Sequence, residues 1–166
     1  MPTFKSVELR HAGGMLFEAM PSSGHALAFD DRTSNRGGSP VETILAALGA
    51  CSAMDVVSIA AKKRLQVDEY RIHVTGSQRD EYPQVYTEIT VIHEINGPGI
   101  DEAGIRRCVE LSATKYCPVN AMVSAGATVV HHRYRIVSGG AAPYEAEGEV
   151  IATGPYARPD ILADQR

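Results

Sequence analysis

Cys51 and Cys117 are the side chains in this sequence whose settings suit chemistry. Cys51 lies in the apolar run Pro40-Val41-Glu42-Thr43-Ile44-Leu45-Ala46-Ala47-Leu48-Gly49-Ala50-Cys51, and Cys117 in Lys115-Tyr116-Cys117-Pro118-Val119-Asn120. Pro118 is a natural first helical residue, because the N–H it lacks is one that a helix start leaves unbonded anyway. A cysteine just before that start sits at the positive end of the helix macrodipole, which favours thiolate over thiol, and Lys115 adds a nearby positive charge. By this local argument Cys117 is the better activated of the two. Two thiols, one of them in an activating position, point to redox chemistry.

The plainer readings stand beside this one. A free cysteine usually behaves as a small buried hydrophobe. Cys108 shares a helical face with Ile105 and Val109 and is expected to be core. Cys51 alone, between Leu48 and Ala50 and the rest of an apolar run, reads the same way. For Cys117 both readings remain open. A metal site finds little support, since there is no Cys-x-x-Cys and the six histidines are scattered. His131 and His132 are adjacent, but neighbours in a strand point to opposite faces and cannot share one ion. No Gly-x-Gly-x-x-Gly marks a dinucleotide site and no Gly-x-Ser-x-Gly marks a serine hydrolase. No metal and no cofactor is expected.

The elements that must hold the thiols follow from periodicity and punctuation. Short strands are expected over 4–9, 15–20 and 25–29, then a polar, glycine-bearing loop from Asp30 to Ser39. Pro40 opens a helix that runs to about Arg64, with Glu42 in its first turn and basic residues in its last. Its surface is apolar nearly all round, which predicts a helix covered on most sides. Segments 67–78 and 84–96 alternate with the period of two of half-buried strands, and Asn96-Gly97-Pro98-Gly99 ends the pair. An amphipathic helix is expected over 101–114, a short one from Pro118, and a last strand over 128–137. From Ser138 onward Gly, Ala, Pro and charge alternate without a sustained period, so 138–166 reads as a mobile C-terminal extension to a single domain of residues 1–137. Strands followed by a hairpin and paired helices predict an α+β fold with antiparallel sheets. A long helix apolar all round in so small a domain calls for a partner chain, hence an obligate dimer.

Composition limits the partners. The chain has 166 residues, 44% hydrophobic, with a net charge of −4 and a pI near 5.8. That supports a globular core and argues against nucleic acid, since the densest basic run, Lys62-Lys63-Arg64, only ends a helix. No signal peptide is visible, and no apolar run is expected to reach the roughly 20 residues of a membrane span. An odd count of three cysteines argues against a disulfide scaffold. The expectation is a cytoplasmic protein without a membrane partner.

The run Gly38 to Cys51, then Met54-Asp55-Val56-Val57, then Lys115-Tyr116-Cys117-Pro118-Val119, resembles the OsmC/Ohr family. More narrowly it is similar to the OsmC-like redox protein branch, with Pro-x-Glu before the first cysteine and Asp-Val-Val after it. The resemblance covers about 24–137. It implies an intertwined homodimer in which sheets wrap central helices, with paired cysteines near the interface. It further implies a thiol-dependent reductase of organic or inorganic hydroperoxides. Carried over, Cys51 attacks the peroxide and becomes a sulfenic acid, Cys117 resolves it as a disulfide, and a dithiol reductant resets the pair. This assignment runs against the local reading, which favours Cys117 as thiolate.

The chain departs from the family at one position. Peroxidases of the family carry a glutamate directly after the proline, where it holds an arginine against the thiolate. Val41 stands there, and the glutamate follows at Glu42, turned ~100° round the helix. A first-turn carboxylate that complements the dipole is the plainer reading of Glu42. Arg32 and Arg36, in the loop before Pro40, are the candidate arginines. Two functions therefore compete: a hydroperoxide reductase using Cys51 and Cys117, and a dimeric domain that binds a small ligand or senses thiol reagents without turnover.

Overall fold

The alternating segments near the N-terminus form a small antiparallel sheet, β1 (Val7–His11), β2 (Phe17–Pro21) and β3 (Leu27–Phe29), in the order β1-β2-β3. Gly13 and Gly14 turn β1 into β2, both with positive φ, +102° and +62°, which a residue bearing a Cβ rarely adopts. The computed structural model describes residues 4–138 and 143–154. It divides into two compact units, Met1–Ile44 and Leu45–Arg166, where the sequence suggested one domain.

The second unit is built on a four-stranded sheet of β4 (Glu69–Gln78), β5 (Tyr86–Asn96), β6 (Val129–Ser138) and β7 (Tyr144–Ala152), ordered β4-β5-β6-β7. The α+β class holds, but the sheet is mixed rather than antiparallel: β5 and β6 run parallel from Glu88↔Val129 to Asn96↔Val137. Parallel neighbours need a crossover. Here it is α2 (Glu102–Leu111), a π-helical turn (Ser112–Tyr116) and α3 (Pro118–Val123). Asp101 caps α2 by accepting from the Gly104 N–H at 2.6 Å. The single helix expected over 101–114 thus ends at Leu111 and widens into the π turn.

Alternation gives the sheet one apolar face and one charged face. Ile89, Val91, His93 and Ile95 of β5 are buried, as are Val130, His132, Tyr134 and Ile136 of β6. The opposite face carries ion pairs, Arg133 to Glu149 at 2.9 Å and Arg135 to Glu147 at 3.8 Å. The sequence reading placed a mobile extension after Ser138. That is corrected for its described part: β7 pairs antiparallel with β6 from Val130↔Ala152 to Ser138↔Tyr144. Its inward residues, Ala146, Gly148, Val150 and Ala152, are small, so the apolar period is muted. Gly148 is required, because a Cβ there would lie 2.0 Å from the Tyr134 hydroxyl. Residues 155–166 of the expected extension lie outside the described residues.

The long helix forms where expected, as α1 (Pro40–Lys62), with Glu42 in its first turn and Lys62 in its last. It stops two residues before Arg64, which takes a left-handed φ of 61°. Gly49 sets its approach to the sheet, since a Cβ would stand 2.8 Å from Val74 Cγ2 of β4. Leu48, Ser52, Val56, Ile59 and Ala60 are buried, while Ile44, Met54 and Val57 are 44%, 72% and 48% exposed. The described residues of the second unit therefore cover one side of α1. One expectation is overturned: α1 is long and apolar enough, by length and composition, to cross a membrane. Its Ala, Gly, Ser and Thr residues interrupt the large apolar side chains without adding charge. The core helix of a globular protein passes the same test, and α1 buries Leu48, Val56 and Ile59 in that manner.

Candidate active site

The fold brings Cys51, midway along α1, to Cys117, at the start of α3, although 66 residues separate them in sequence. Their sulfurs and a carboxylate oxygen of Asp55 all lie within 4.8 Å of one another. Asp55 is four residues beyond Cys51, so the two share a face of the helix. Both cysteines are free thiols in the structure. Cys51 is half-buried and Cys117 is only 3% exposed, so Cys51 is the more open sulfur.

Local capping and burial act oppositely on Cys117. It is the N-cap of α3 and its Sγ accepts from the Asn120 N–H at 3.3 Å, as the position before Pro118 suggested. Yet its pKa is pushed up to about 12, chiefly by burial and then by its hydrogen bond with Cys51, with Asn120 opposing and the charge of Asp55 adding to the rise. Cys117 is thus held as the neutral thiol beside the Cys51 sulfur. The expectation of an activated Cys117 is corrected: α3 has six residues and a weak dipole, and Lys115 is exposed, 5.3 Å from the Tyr116 ring.

Burial also raises the pKa of Asp55, against an opposing hydrogen bond from Ser112. Ser112 Oγ lies 3.1 Å from Asp55 Oδ2 and 3.2 Å from Ser52 Oγ. Ser112 opens the π turn, whose Ser112 carbonyl accepts the Cys117 N–H at 3.0 Å. One turn of irregular helix thereby orients both the carboxylate and the second thiol. A carboxylate whose pKa is raised, held beside two sulfurs, can take a thiol proton and return it. Asp55 was visible in the sequence as part of Asp-Val-Val, without a role. The i, i+4 spacing from Cys51 was the signal available for it.

The other three candidates lie in the N-terminal unit. Glu42 is exposed in the first turn of α1, and Arg32 is exposed in the turn that precedes it. Arg36 is engaged within that unit, its Nε 3.1 Å from Asp30 Oδ2 and its Nη2 donating to the Gly13 carbonyl at 3.1 Å. Asp30 is itself buried. Burial pushes its carboxyl up, but hydrogen bonds from the Asp31 N–H and from Arg36 outweigh it and hold the pKa below the usual value.

Cys108 sits in the core at 0% exposure, with its thiol pushed up to about 11 by burial first, Asp101 adding and Lys63 opposing. It takes no part in the pair. Cys108→Ala is expected to cost about 1 kcal/mol of stability through lost packing and to leave any turnover at the wild-type rate. Urea unfolding and a peroxide assay on the same sample check both halves. A cleft of about 820 Å³ bordered by Lys63, Asp101, Arg106, Arg107 and Glu110 is lined by none of the cysteines.

The OsmC-like protein family matches residues 33–132 of the chain. Protein YhfA of Escherichia coli K12 is 35% identical over 125 residues, which cover 75% of this chain and 92% of that protein. A hypothetical protein from Aquifex aeolicus VF5 superposes with a TM-score of 0.76 at 29% identity, over 84% of this chain and all of its own. The organic hydroperoxide resistance protein OhrB of Bacillus subtilis shares the fold, with a TM-score of 0.56 at 16% identity over 80% of this chain and 98% of its own.

Proposed function

Because the chain belongs to the OsmC-like protein family, we propose that it is a thiol-dependent hydroperoxide reductase working through Cys51 and Cys117. The observation that carries this reading is the meeting of the two sulfurs beside Asp55, within 4.8 Å. Cys51, the more open sulfur, is the nucleophile. Its thiolate attacks the distal peroxide oxygen, an S–O bond forms, the O–O bond breaks, and the alkoxide leaves as alcohol once protonated. Cys51 is oxidised by two electrons to sulfenic acid and the peroxide is reduced by two. Cys117 then attacks the sulfenic sulfur, its proton leaves with the hydroxide as water, and a disulfide joins the pair. A dithiol reductant supplies the two electrons that reopen it.

Asp55 is the proton carrier of this scheme: it accepts the Cys51 proton before attack and gives it to the leaving alkoxide. No step in the scheme calls on Glu42, Arg32 or Arg36 of the N-terminal unit. Asp55→Asn keeps the shape and the Ser112 contact but cannot carry the proton. The expected result is a first step slowed about 10²-fold, within the usual range for general acid–base catalysis, with a normal thiol count. An unchanged rate removes Asp55 from the scheme.

The active unit is a homodimer. In one chain Val7 and Leu9 of β1 are each 53% exposed, and α1 exposes Met54 and Val57. Exposed apolar side chains of this kind offer a surface for a second copy to cover. Sedimentation should give twice the chain mass at micromolar concentration, and a folded monomer there would exclude the dimer.

The direct test of the reading is thiol titration before and after one equivalent of cumene hydroperoxide. Loss of two thiols per chain, with peptide mass mapping to Cys51 and Cys117, is the expected result. Loss of none would leave a ligand-binding domain whose thiols are bystanders.

A further inference from the structure

A chain of polar side chains runs through the core of the second unit and ends on Cys117, and no step above uses it. Tyr70 Oη of β4 lies 2.6 Å from His93 Nδ1 of β5. His93 Nε2 lies 3.2 Å from His132 Nδ1 of β6, and His132 Nε2 lies 3.1 Å from Asn120 Oδ1 of α3. Asn120 Nδ2 donates to the Ala113 carbonyl of the π turn at 2.7 Å, and the Asn120 N–H donates to Cys117 Sγ. His93 and His132 are fully buried and Asn120 is 1% exposed. Buried polar groups in such numbers are costly unless each is satisfied.

The direction of every hydrogen bond in the chain follows from its last member. A carbonyl only accepts, so Ala113 fixes the Asn120 amide with its NH2 toward the π turn and Oδ1 toward His132. Oδ1 only accepts, so His132 carries its proton on Nε2. Its Nδ1 is then bare and accepts from His93 Nε2–H. His93 Nδ1 is bare in turn and accepts the Tyr70 hydroxyl. Burial supports two neutral rings: it drives His93 down to about 4 and, with the neighbouring His93 and His131, His132 down to about 3. The four side chains therefore have one self-consistent arrangement.

We propose that Tyr70, His93, His132 and Asn120 are positioning residues that aim Cys117 at Cys51, with the Ala113 carbonyl setting the polarity of the chain and the Tyr70 hydroxyl tying its far end to β4. The chain fastens three strands of the sheet to the two points that hold the thiol, the π turn through Ala113 and the start of α3 through Asn120. If Tyr70 loses its hydroxyl, His93 Nδ1 has no donor. The tautomers stay fixed from the Ala113 end, but the His93 ring loses its tie to β4 and is free to turn, or to shift, away from His132 Nδ1. Either outcome loosens Asn120 and lets the Cys117 sulfur wander. The inference rests on the Cys51–Cys117 pairing of the proposed reductase, but not on its peroxide chemistry.

Two measurements on the full chain decide it. Nitrogen-15 NMR of histidine-labelled protein at pH 7 should show both buried rings neutral with the proton on Nε2. A proton on Nδ1 of His132 overturns the proposal without any variant. Tyr70→Phe, at a half-buried site with its ring retained, should fold with a melting temperature close to wild type. In it, disulfide closure driven by diamide should slow about tenfold or more, the scale on which small misplacements act. Formation of the Cys51 sulfenic acid by cumene hydroperoxide should keep its wild-type rate. Closure at the wild-type rate in Tyr70→Phe overturns the proposal, and so does equal slowing of the sulfenic step. If the wild type closes with diamide but ignores peroxide, and Tyr70→Phe closes slowly, the reductase reading fails while the positioning role stands.

Discussion

Cys51→Ser is expected to abolish hydroperoxide consumption, with a fall of about 10³-fold or more, because a serine hydroxyl at neutral pH offers almost no anion to attack the O–O bond. Cys117→Ser should behave differently. Its first step should proceed, and a dimedone-reactive sulfenic acid should accumulate at Cys51 in one equivalent, since the partner that would condense with it is gone. Wild type treated with peroxide should lose two hydrogens in mass, mapped to the peptides of Cys51 and Cys117. The disulfide is within reach, since the sulfurs already lie within 4.8 Å. The assignment rests on the burial that holds the Cys117 thiol neutral and on the greater openness of Cys51. A sulfenic acid found on Cys117 would show that the helix start outweighs burial and would reverse the roles.

Stability should fall steeply in mild acid. Unfolded histidines take up protons near pH 6.5, whereas folded His93 and His132 do so only near about 4 and about 3. Between these limits the unfolded state binds more protons, so stability declines as pH drops from about 6.5 and stops declining on this account only below the folded values. Two such groups give a slope approaching about 2.7 kcal/mol per pH unit in the middle of the window, a large share of a typical 5–15 kcal/mol. The groups facing the pair are Tyr70 and Asn120, with His131 close enough to depress His132 further. Urea unfolding at pH 7, 6 and 5 measures the slope. A flat line over that range would mean that the two rings are not held neutral.

Much of the fold can be read from the residues. Pro40, Glu42 and the basic run after Ile59 mark α1 almost to its ends, and the alternation in 67–78 and 84–96 marks the central hairpin. The parallel pairing of β5 with β6 could not be read, because alternation says which face is buried and nothing about which strand lies alongside. β7 was missed because its inward face is Ala146, Gly148, Val150 and Ala152, too small to register as a hydrophobic period. Its signal lay in Glu145, Glu147 and Glu149, every second residue. At the site, the two cysteines were legible from their motifs and their meeting from family resemblance. The protonation of Cys117 was not legible, since burial is a property of the assembled core and it overrides a helix start of six residues. The same holds for the Tyr70–His93–His132–Asn120 chain, whose members come from three strands and a helix. His132 was rightly separated from His131 by strand geometry, but its buried partners were out of view.

The carboxylates of β7 also bear on how copies of this chain can meet. Among the described residues β7 is an edge of the sheet, and an edge strand is an open template for another strand. Glu145, Glu147 and Glu149 stand in a row along it, answered by Arg133 and Arg135 from within the same sheet. A second copy docking antiparallel at this edge would set one carboxylate row against another, which repels. Continuous sheet growth, and the fibrils it leads to, are discouraged on that side. In the proposed homodimer, association would use other surfaces, such as the flank of α1 that exposes Met54 and Val57, the charges of one strand turning copies of the protein away from that edge.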